Sequence, residues 1–367
     1  MTCNPEAKPS SIQMAPSINT LFFFFFHLLL CLTPSLAVAA GRVPALIVFG
    51  DSTADPGNNN NIPTLFKSNF PPYGRDFPGG RPTGRFSNGR LASDFISEGL
   101  GLPLTVPAYL DPGYGIEDFA KGVSFASAGT GLDKITSDLS HVIPLWKEVE
   151  FFKEYQEKLR SYAGEAMAAH IVGEAVYIVS IGTNDFLVNY FSYVTGRAVE
   201  FTVDEFAGFL VSIAGDFLTE IYRLGARKIT FFGLVPIGCL PLERTVNVIG
   251  GGGCNEKLNE AARSFNAKLQ ALIGQLNASL PRLKLSYTPV DGHVLDILNN
   301  PSAYGIENVE EGCCGTGKME LGYLCNPWSP FTCEDADKYA FWDAFHPTEK
   351  MYRLVAEATL RTLAEFI

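Results

Sequence analysis

The chain reads as an α/β protein, a three-layer α/β/α sandwich around a five-stranded parallel sheet. Two observations predict it. Short apolar, β-branched runs alternate with longer segments of helical period, and neither an internal repeat nor a disordered linker interrupts the alternation. The strand candidates at 45–49, 123–126, 175–181, 228–232 and 284–288 are short and continuous, as strands covered on both faces should be. Helices are expected at 90–100, 143–162, 203–224, 255–277 and 347–366. The one from Val203 has the clearest face, with Phe206, Phe209, Leu210, Ile213, Phe217 and Ile221 at three- and four-residue spacing, a stripe that serves core packing. Right-handed crossovers then put reactive side chains in loops at the carboxyl ends of the strands.

The first residues stand apart from this pattern. Leu21 to Leu32 is a twelve-residue, predominantly apolar run that stops at Thr33 and Pro34 and gives way to small residues at Ala37 to Gly41, the pattern of a secretory signal peptide. A membrane-spanning helix needs about 20 apolar residues, so no stable span is expected. Cleavage after Ala39 or Ala40 would remove residues 1–40 and leave 41–367 as a single domain; starting at Met14 gives the same mature chain. A net charge of −11 and a pI near 5.0, with no dense Lys/Arg cluster, argue against the phosphate contacts that nucleic acids demand and disfavour anionic membrane surfaces.

Of the eight cysteines, Cys3 and Cys31 fall in the leader. Cys239, Cys254, Cys313, Cys314, Cys325 and Cys333 remain, an even number that suits disulfides in an oxidising compartment. Zinc is disfavoured, because there is no Cys-x-x-Cys pair and His293 offers no second ligand at finger spacing. Cys239 and Cys254 are expected to pair across the Gly250 to Gly253 loop, and the other four among themselves. Neighbouring Cys313 and Cys314 take different partners, since a bond between them is strained. Asn277-Ala278-Ser279 is a glycosylation acceptor, whereas Asn300 is followed by Pro301.

Two constellations carry chemistry. The first strand runs into Gly50-Asp51-Ser52-Thr53-Ala54-Asp55-Pro56-Gly57-Asn58, which delivers a serine into a tight polar turn. Alone, Ser52 would read equally as a helix N-cap. Near the other end, Trp342-Asp343-Ala344-Phe345-His346-Pro347-Thr348 sets a carboxylate three residues before an imidazole, ahead of a helix that Pro347 can start. Asp343 can fix the tautomer of His346, whose other nitrogen then serves a serine as general base. Only His141, His170, His293 and His346 survive cleavage, and only His346 has such a partner. His293, in Asp291-Gly292-His293, is the runner-up base and is read as a turn. Donors for an oxyanion could come from Ser127-Ala128-Gly129-Thr130-Gly131 or from Gly182-Thr183-Asn184-Asp185.

In this order, the Gly-Asp-Ser turn, the glycine loop, Gly-Thr-Asn-Asp and Asp-x-x-His-Pro resemble the GDSL branch of the SGNH hydrolases, whose fold is flavodoxin-like. Asp55-Pro56-Gly57-Asn58-Asn59-Asn60, the stretch Gly84-Arg85-Phe86-Ser87-Asn88-Gly89-Arg90 and Cys313-Cys314-Gly315 look like the plant subfamily. The resemblance implies a serine esterase or lipase without cofactor or metal: Ser52 as nucleophile and oxyanion donor, Gly129 as second backbone donor, Asn184 as side-chain donor, Asp343 and His346 as the base pair. Gly131 could replace Gly129. Thr53 departs from the leucine of the family name. An α/β-hydrolase fits less well, because its elbow needs glycine two residues after the serine and Ala54 stands there.

These motifs leave the acyl donor open among lipid esters, acetylated wall polysaccharides and small phenolic esters, and oligomeric state is not written in them. An acyltransferase using the same site, or a non-catalytic extracellular binding protein, are the other readings. Tyr109 to Tyr114 and Asn189 to Tyr193 are candidate linings of an acyl groove, although such aromatics more often serve packing.

Overall fold

In the computed structural model, which describes residues 43–365 and Ile367, five strands lie parallel: β1 Leu46–Gly50, β2 Gly122–Ser124, β3 Val176–Ser180, β4 Lys228–Phe232 and β5 Lys284–Thr288. The expected leader, residues 1–40, lies outside the described residues. The spatial order is β2-β1-β3-β4-β5, the flavodoxin-like arrangement in which the direction of winding reverses between β1 and β3. Gly50 and Ser180 end those two strands side by side, so the loops that follow open onto the crevice where such sheets bind ligands.

Helices of seven residues or more are α1 Ala92–Gly99, α2 Lys134–Ser140, α3 Leu145–Ala163, α4 Glu165–Glu174, α5 Val203–Arg223, α6 Glu256–Ser279, α7 Val290–Asn299 and α8 Glu349–Leu363. Alternating side chains of β1 show the layers. Phe49 meets Phe152 of α3 and Phe217 of α5 edge-on, with ring centroids 5.6 and 5.3 Å apart. The preceding Val48 faces a cavity shared with Val294 of α7 and Val355 of α8. Removing a ring as buried as Phe49 would cost about 3–5 kcal/mol. The stripe expected on α5 is the buried one, with Phe206, Leu210, Phe217 and Ile221 inside, while Phe209 and Ile213 are half-buried at its margin. Thr202 starts that helix by a reciprocal cap, its hydroxyl accepting from Glu205 N–H while the Glu205 carboxylate accepts from Thr202 N–H.

The structure departs from the expectations at identifiable points. β5 is an edge strand, with Lys284 exposed and Ser286 and Tyr287 half-buried, so only four strands are covered as fully as expected. Helices α2, α4 and α7 were not expected. His293 is therefore in the first turn of α7 and not in a loop turn; Val290, Val294, Ile297 and Leu298 give that helix its buried side. Pro347 does not start the last helix. Thr348 caps it, its hydroxyl accepting from Met351 N–H, and Glu349 is the first helical residue. A second, two-stranded sheet pairs β6 Asn308–Gly312 with β7 Tyr339–Phe341. β6 is too polar and β7 too short to register as apolar runs, yet β7 leads directly into the Asp343–His346 loop.

The six cysteines pair as Cys239–Cys254, Cys313–Cys333 and Cys314–Cys325, so the neighbouring pair does take different partners. Asn277 lies near the end of α6 with its amide engaged at both ends: Nδ2 donates to Leu285 O and Oδ1 accepts from Leu285 N–H. A glycan there would have to replace the Nδ2 bond. Peptide mapping without reductant should recover these three pairs; a Cys313–Cys325 cross-link or free thiols at these positions would contradict the fold around β6 and β7.

Candidate active site

β1 delivers the chain into a turn that demands glycine. Gly50 has φ +147°, and a Cβ there would come within 2.0 Å of the Ser180 carbonyl oxygen. Asp51 N–H donates to that oxygen at 3.0 Å, and Ser52 follows at the point where the winding reverses. The Thr53 N–H and hydroxyl both reach Asp51 Oδ1, and the hydroxyl lies 2.8 Å from Ser180 Oγ. Leucine at this position would lose both side-chain bonds, so the departure at residue 53 ties the turn to β3. Beneath it, Glu148 of α3 accepts the Gly50 N–H at 3.0 Å, while its other carboxyl oxygen is buried without a partner among the described residues. Burial holds the Glu148 carboxyl well above the ordinary range and pushes Asp51 up to about 6, against the Thr53 donors.

The Asp343–His346 loop folds back on β7: Trp342 N–H donates to His346 O, and Thr348 N–H to Ala340 O. Asp343 Oδ1 accepts the backbone N–H groups of Phe345 and His346 at 2.8 and 2.6 Å, and His346 Nδ1 lies 2.8 Å from Oδ2. A carboxylate only accepts, so Nδ1 is assigned the proton and Nε2 the lone pair. Nε2 lies 2.8 Å from Ser52 Oγ, 294 residues away in sequence. Phe86, from the Gly84–Arg90 stretch, packs its ring 4.6 Å from the imidazole, and Arg85 beside it pairs with Asp94 in a buried two-bond ion pair.

Tyr73 completes this chain of bonds and carried no sequence signal, standing 270 residues from its partner. Its buried hydroxyl donates to Asp343 Oδ2 at 2.7 Å and accepts from Gly322 N–H at 2.9 Å. Burial and the Asp343 charge hold the phenol far above its ordinary range, so it stays a donor.

On the opposite side of Ser52 the two remaining loops converge. Gly129, with φ +89°, shares the cleft with Ser52, Asn184 and His346. Neither the Ser52 nor the Gly129 backbone N–H donates to another group among the described residues. Gly131 stands apart from the cleft, its N–H turned to Ser137 Oγ. One N–H of the Asn184 amide is fixed on Thr130 O at 2.9 Å. The cleft wall is apolar, from Leu65, Phe66, Phe86, Val188, Leu321 and Tyr323.

Two buried carboxylates hold these loops together. Asp55 accepts the N–H groups of Gly57, Asn58, Asn59 and, from the glycine loop, Ala128. Asp185 accepts those of Leu132 and Asp133 and the Thr136 hydroxyl. Burial pushes them up to about 6 and about 7 despite these donors. His293, the runner-up base, is elsewhere, with Nε2 3.2 Å from Leu354 O. Tyr109 and Tyr190 do not line the cleft. Tyr109 packs on Phe119, Phe125 and Phe151, and Tyr190 on Phe191 and Phe206.

A family model described as GDSL-like Lipase/Acylhydrolase matches residues 46–359. The chain belongs to this family. Three Arabidopsis thaliana proteins, each named a GDSL esterase/lipase, are 57%, 53% and 49% identical to it. The matches cover 87%, 90% and 94% of this chain and 91%, 94% and 97% of the relatives. Among solved structures, a lipase from a goat rumen metagenome spans 87% of this chain and 96% of that one at 13% identity and a TM-score of 0.35, too distant to carry an argument. As a GDSL lipase/acylhydrolase, the chain is a carboxylic ester hydrolase.

Two predictions follow from the geometry of this GDSL site. Tyr73→Phe removes one of the donors on Asp343, which then holds the imidazolium proton more tightly. The acid limb of the pH–rate profile should move to higher pH and kcat fall about tenfold, whereas a purely structural role for Tyr73 would leave the profile in place. The second concerns stability. A buried acid whose folded pKa is raised stabilises the fold below the ordinary carboxylate range and loses that contribution as pH climbs through the folded value. Glu148, Asp51, Asp55 and Asp185 all shift this way. Melting temperature should fall between pH 5 and 8, and Glu148→Gln, uncharged but still able to accept from Gly50, should shallow that fall; an unaltered slope would exclude Glu148 as a contributor.

Proposed function

We propose that the chain is a secreted serine esterase that cleaves its substrate through an acyl-enzyme on Ser52. The observation that carries this reading is the continuous set of bonds from Ser52 Oγ to His346 Nε2 and from His346 Nδ1 to Asp343, at 2.8 Å each. As Oγ attacks the ester carbonyl, Nε2 takes its proton, and Asp343 stabilises the imidazolium that results. The oxyanion faces the N–H groups of Ser52 and Gly129 and the Asn184 amide, a well-placed donor being worth about 3–4 kcal/mol. His346 returns the proton to the departing alcohol. Water, activated by the same nitrogen, then attacks the acyl carbonyl and releases the acid.

Gly129 serves as second backbone donor in this reading and Gly131 does not, because the Gly131 N–H is occupied by Ser137. Three disulfides and the apolar run at Leu21 to Leu32 support export, with residues 1–40 as the removed leader. Among the described residues no helix is long and apolar enough to cross a membrane.

Ser52→Ala should abolish ester turnover and fluorophosphonate labelling while the protein remains folded, and undiminished labelling would overturn the assignment. Asn184→Ala should lower kcat by about 10²–10³, in keeping with loss of one oxyanion donor. With an ester and an acceptor alcohol both supplied, free acid should predominate; an excess of transferred ester would mark an acyltransferase instead.

A further inference from the structure

The cleft that holds Ser52 and His346 is one of two spaces that meet at the serine. A second runs inward between the sheet and the layer formed by α1, α7 and α8, its upper end at Ser52, Thr183 and Phe345 and its depth at Ile178, Val294 and Val355. Its volume is about 90 Å³. Ser52 and Phe345 line both spaces, so the open cleft and the inner cavity adjoin at these two residues.

The chemistry of the wall changes with depth. The polar groups Asp51, Thr53 and Ser180 gather at the carboxyl ends of β1 and β3, around the turn that carries the serine. Tyr352, whose buried hydroxyl takes no partner among the described residues, feels the Asp51 charge and belongs to the same end. Below them Val48, Ile178, Val294, Leu298 and Val355 offer hydrocarbon alone. The hydrocarbon depth of such a cavity takes up apolar groups, as an engineered cavity of about 150 Å³ takes up benzene. By proportion to the six carbons of benzene, the inner cavity fits about four.

We propose that this cavity is the acyl-chain subsite and that it sets a preference for short unbranched acyl groups of about four carbons. The proposal rests on Ser52 being the acylated residue. With the carbonyl carbon bonded to Ser52 Oγ and its oxygen toward Gly129 and Asn184, the chain passes Phe345 into the inner cavity, and the alcohol leaves through the open cleft beside His346. Acetyl leaves the hydrocarbon depth unfilled. Chains of eight carbons or more exceed it unless Phe345 moves aside.

The test is kcat/KM for p-nitrophenyl acetate, butyrate, octanoate and laurate on the wild type and three variants. Burying two further methylenes should favour butyrate over acetate by about fifteenfold, with octanoate and laurate below butyrate. Val294→Phe fills the depth and should bring the butyrate-to-acetate ratio close to one. Val355→Ala deepens it and Phe345→Ala opens its entrance, so both should raise octanoate relative to butyrate; either suffices where Val294→Phe fails to fold. A profile that climbs to laurate in the wild type, or ratios unmoved in the folded variants, would overturn the subsite. Turnover that survives Ser52→Ala would instead overturn the acyl-enzyme reading, so the two failures are distinguishable.

Discussion

Four backbone N–H groups from two separate loops end on one carboxylate, that of Asp55, and the organisation of the site depends on it. Three of them close the turn that follows Ser52; the fourth, from Ala128, belongs to the loop after β2 that presents Gly129. Ser52 and Gly129, carried by different strands, are thereby held in one frame. Asn58 and Asn59 extend the frame, their amides reaching Ser124 O, Ala126 O and Ala128 O. Asp185 does the same from β3, gathering Leu132 and Asp133 beneath Asn184. Loops held in this way keep their backbone N–H groups in place, at the cost of burying two acids at this end of the sheet.

His346 reaches the site by a different route. His346 belongs to the last loop of the chain, and its orientation is fixed by Asp343, Phe86 and the backbone turn onto β7. Asp343 is held in turn by Tyr73, whose hydroxyl also receives Gly322 N–H. Gly322 lies inside the segment closed by Cys314–Cys325, so that disulfide supports the carboxylate through two hydrogen bonds. The cysteine-rich insert is thus part of the scaffold for the histidine and not an appendage of the fold.

Much of this was legible in the sequence, and what was missed has physical reasons. The five sheet strands announced themselves because burial on both faces demands uninterrupted apolar residues; β5, lying at an edge, satisfied that demand least. Ser52, Asn184, Asp343 and His346 were visible because short motifs carry each one; Ser52, Asn184 and His346 line one cleft, and Asp343 is buried behind the imidazole. Tyr73 could not be found that way, since its partner is determined only by tertiary folding. β6 escaped because its Asn-Val-Glu-Glu-Gly run is polar, and β7 because three residues are too few to show a period. The start of α8 was misjudged by weighing Pro347 above Thr348, although a hydroxyl able to accept from the third helical N–H is the more direct capping signal.

The placement of the acids also bears on how the fold divides its work. Glu148, Asp51, Asp55 and Asp185 all lie at the carboxyl ends of the strands or just beneath them, and burial raises all four. Charge held there is unfavourable for folding, and the donors on Asp55 and Asp185 offset only part of that cost. The remainder falls on the aromatic packing around Phe49, Phe125, Phe152 and Phe217, which lies on the far side of the same strand from the inner cavity. One face of β1 therefore supplies the stability that lets the other border a cavity beside the serine. A residue such as Phe49 then influences activity through stability, whereas Val294 and Val355, across the sheet, are free to determine which acyl chains fit.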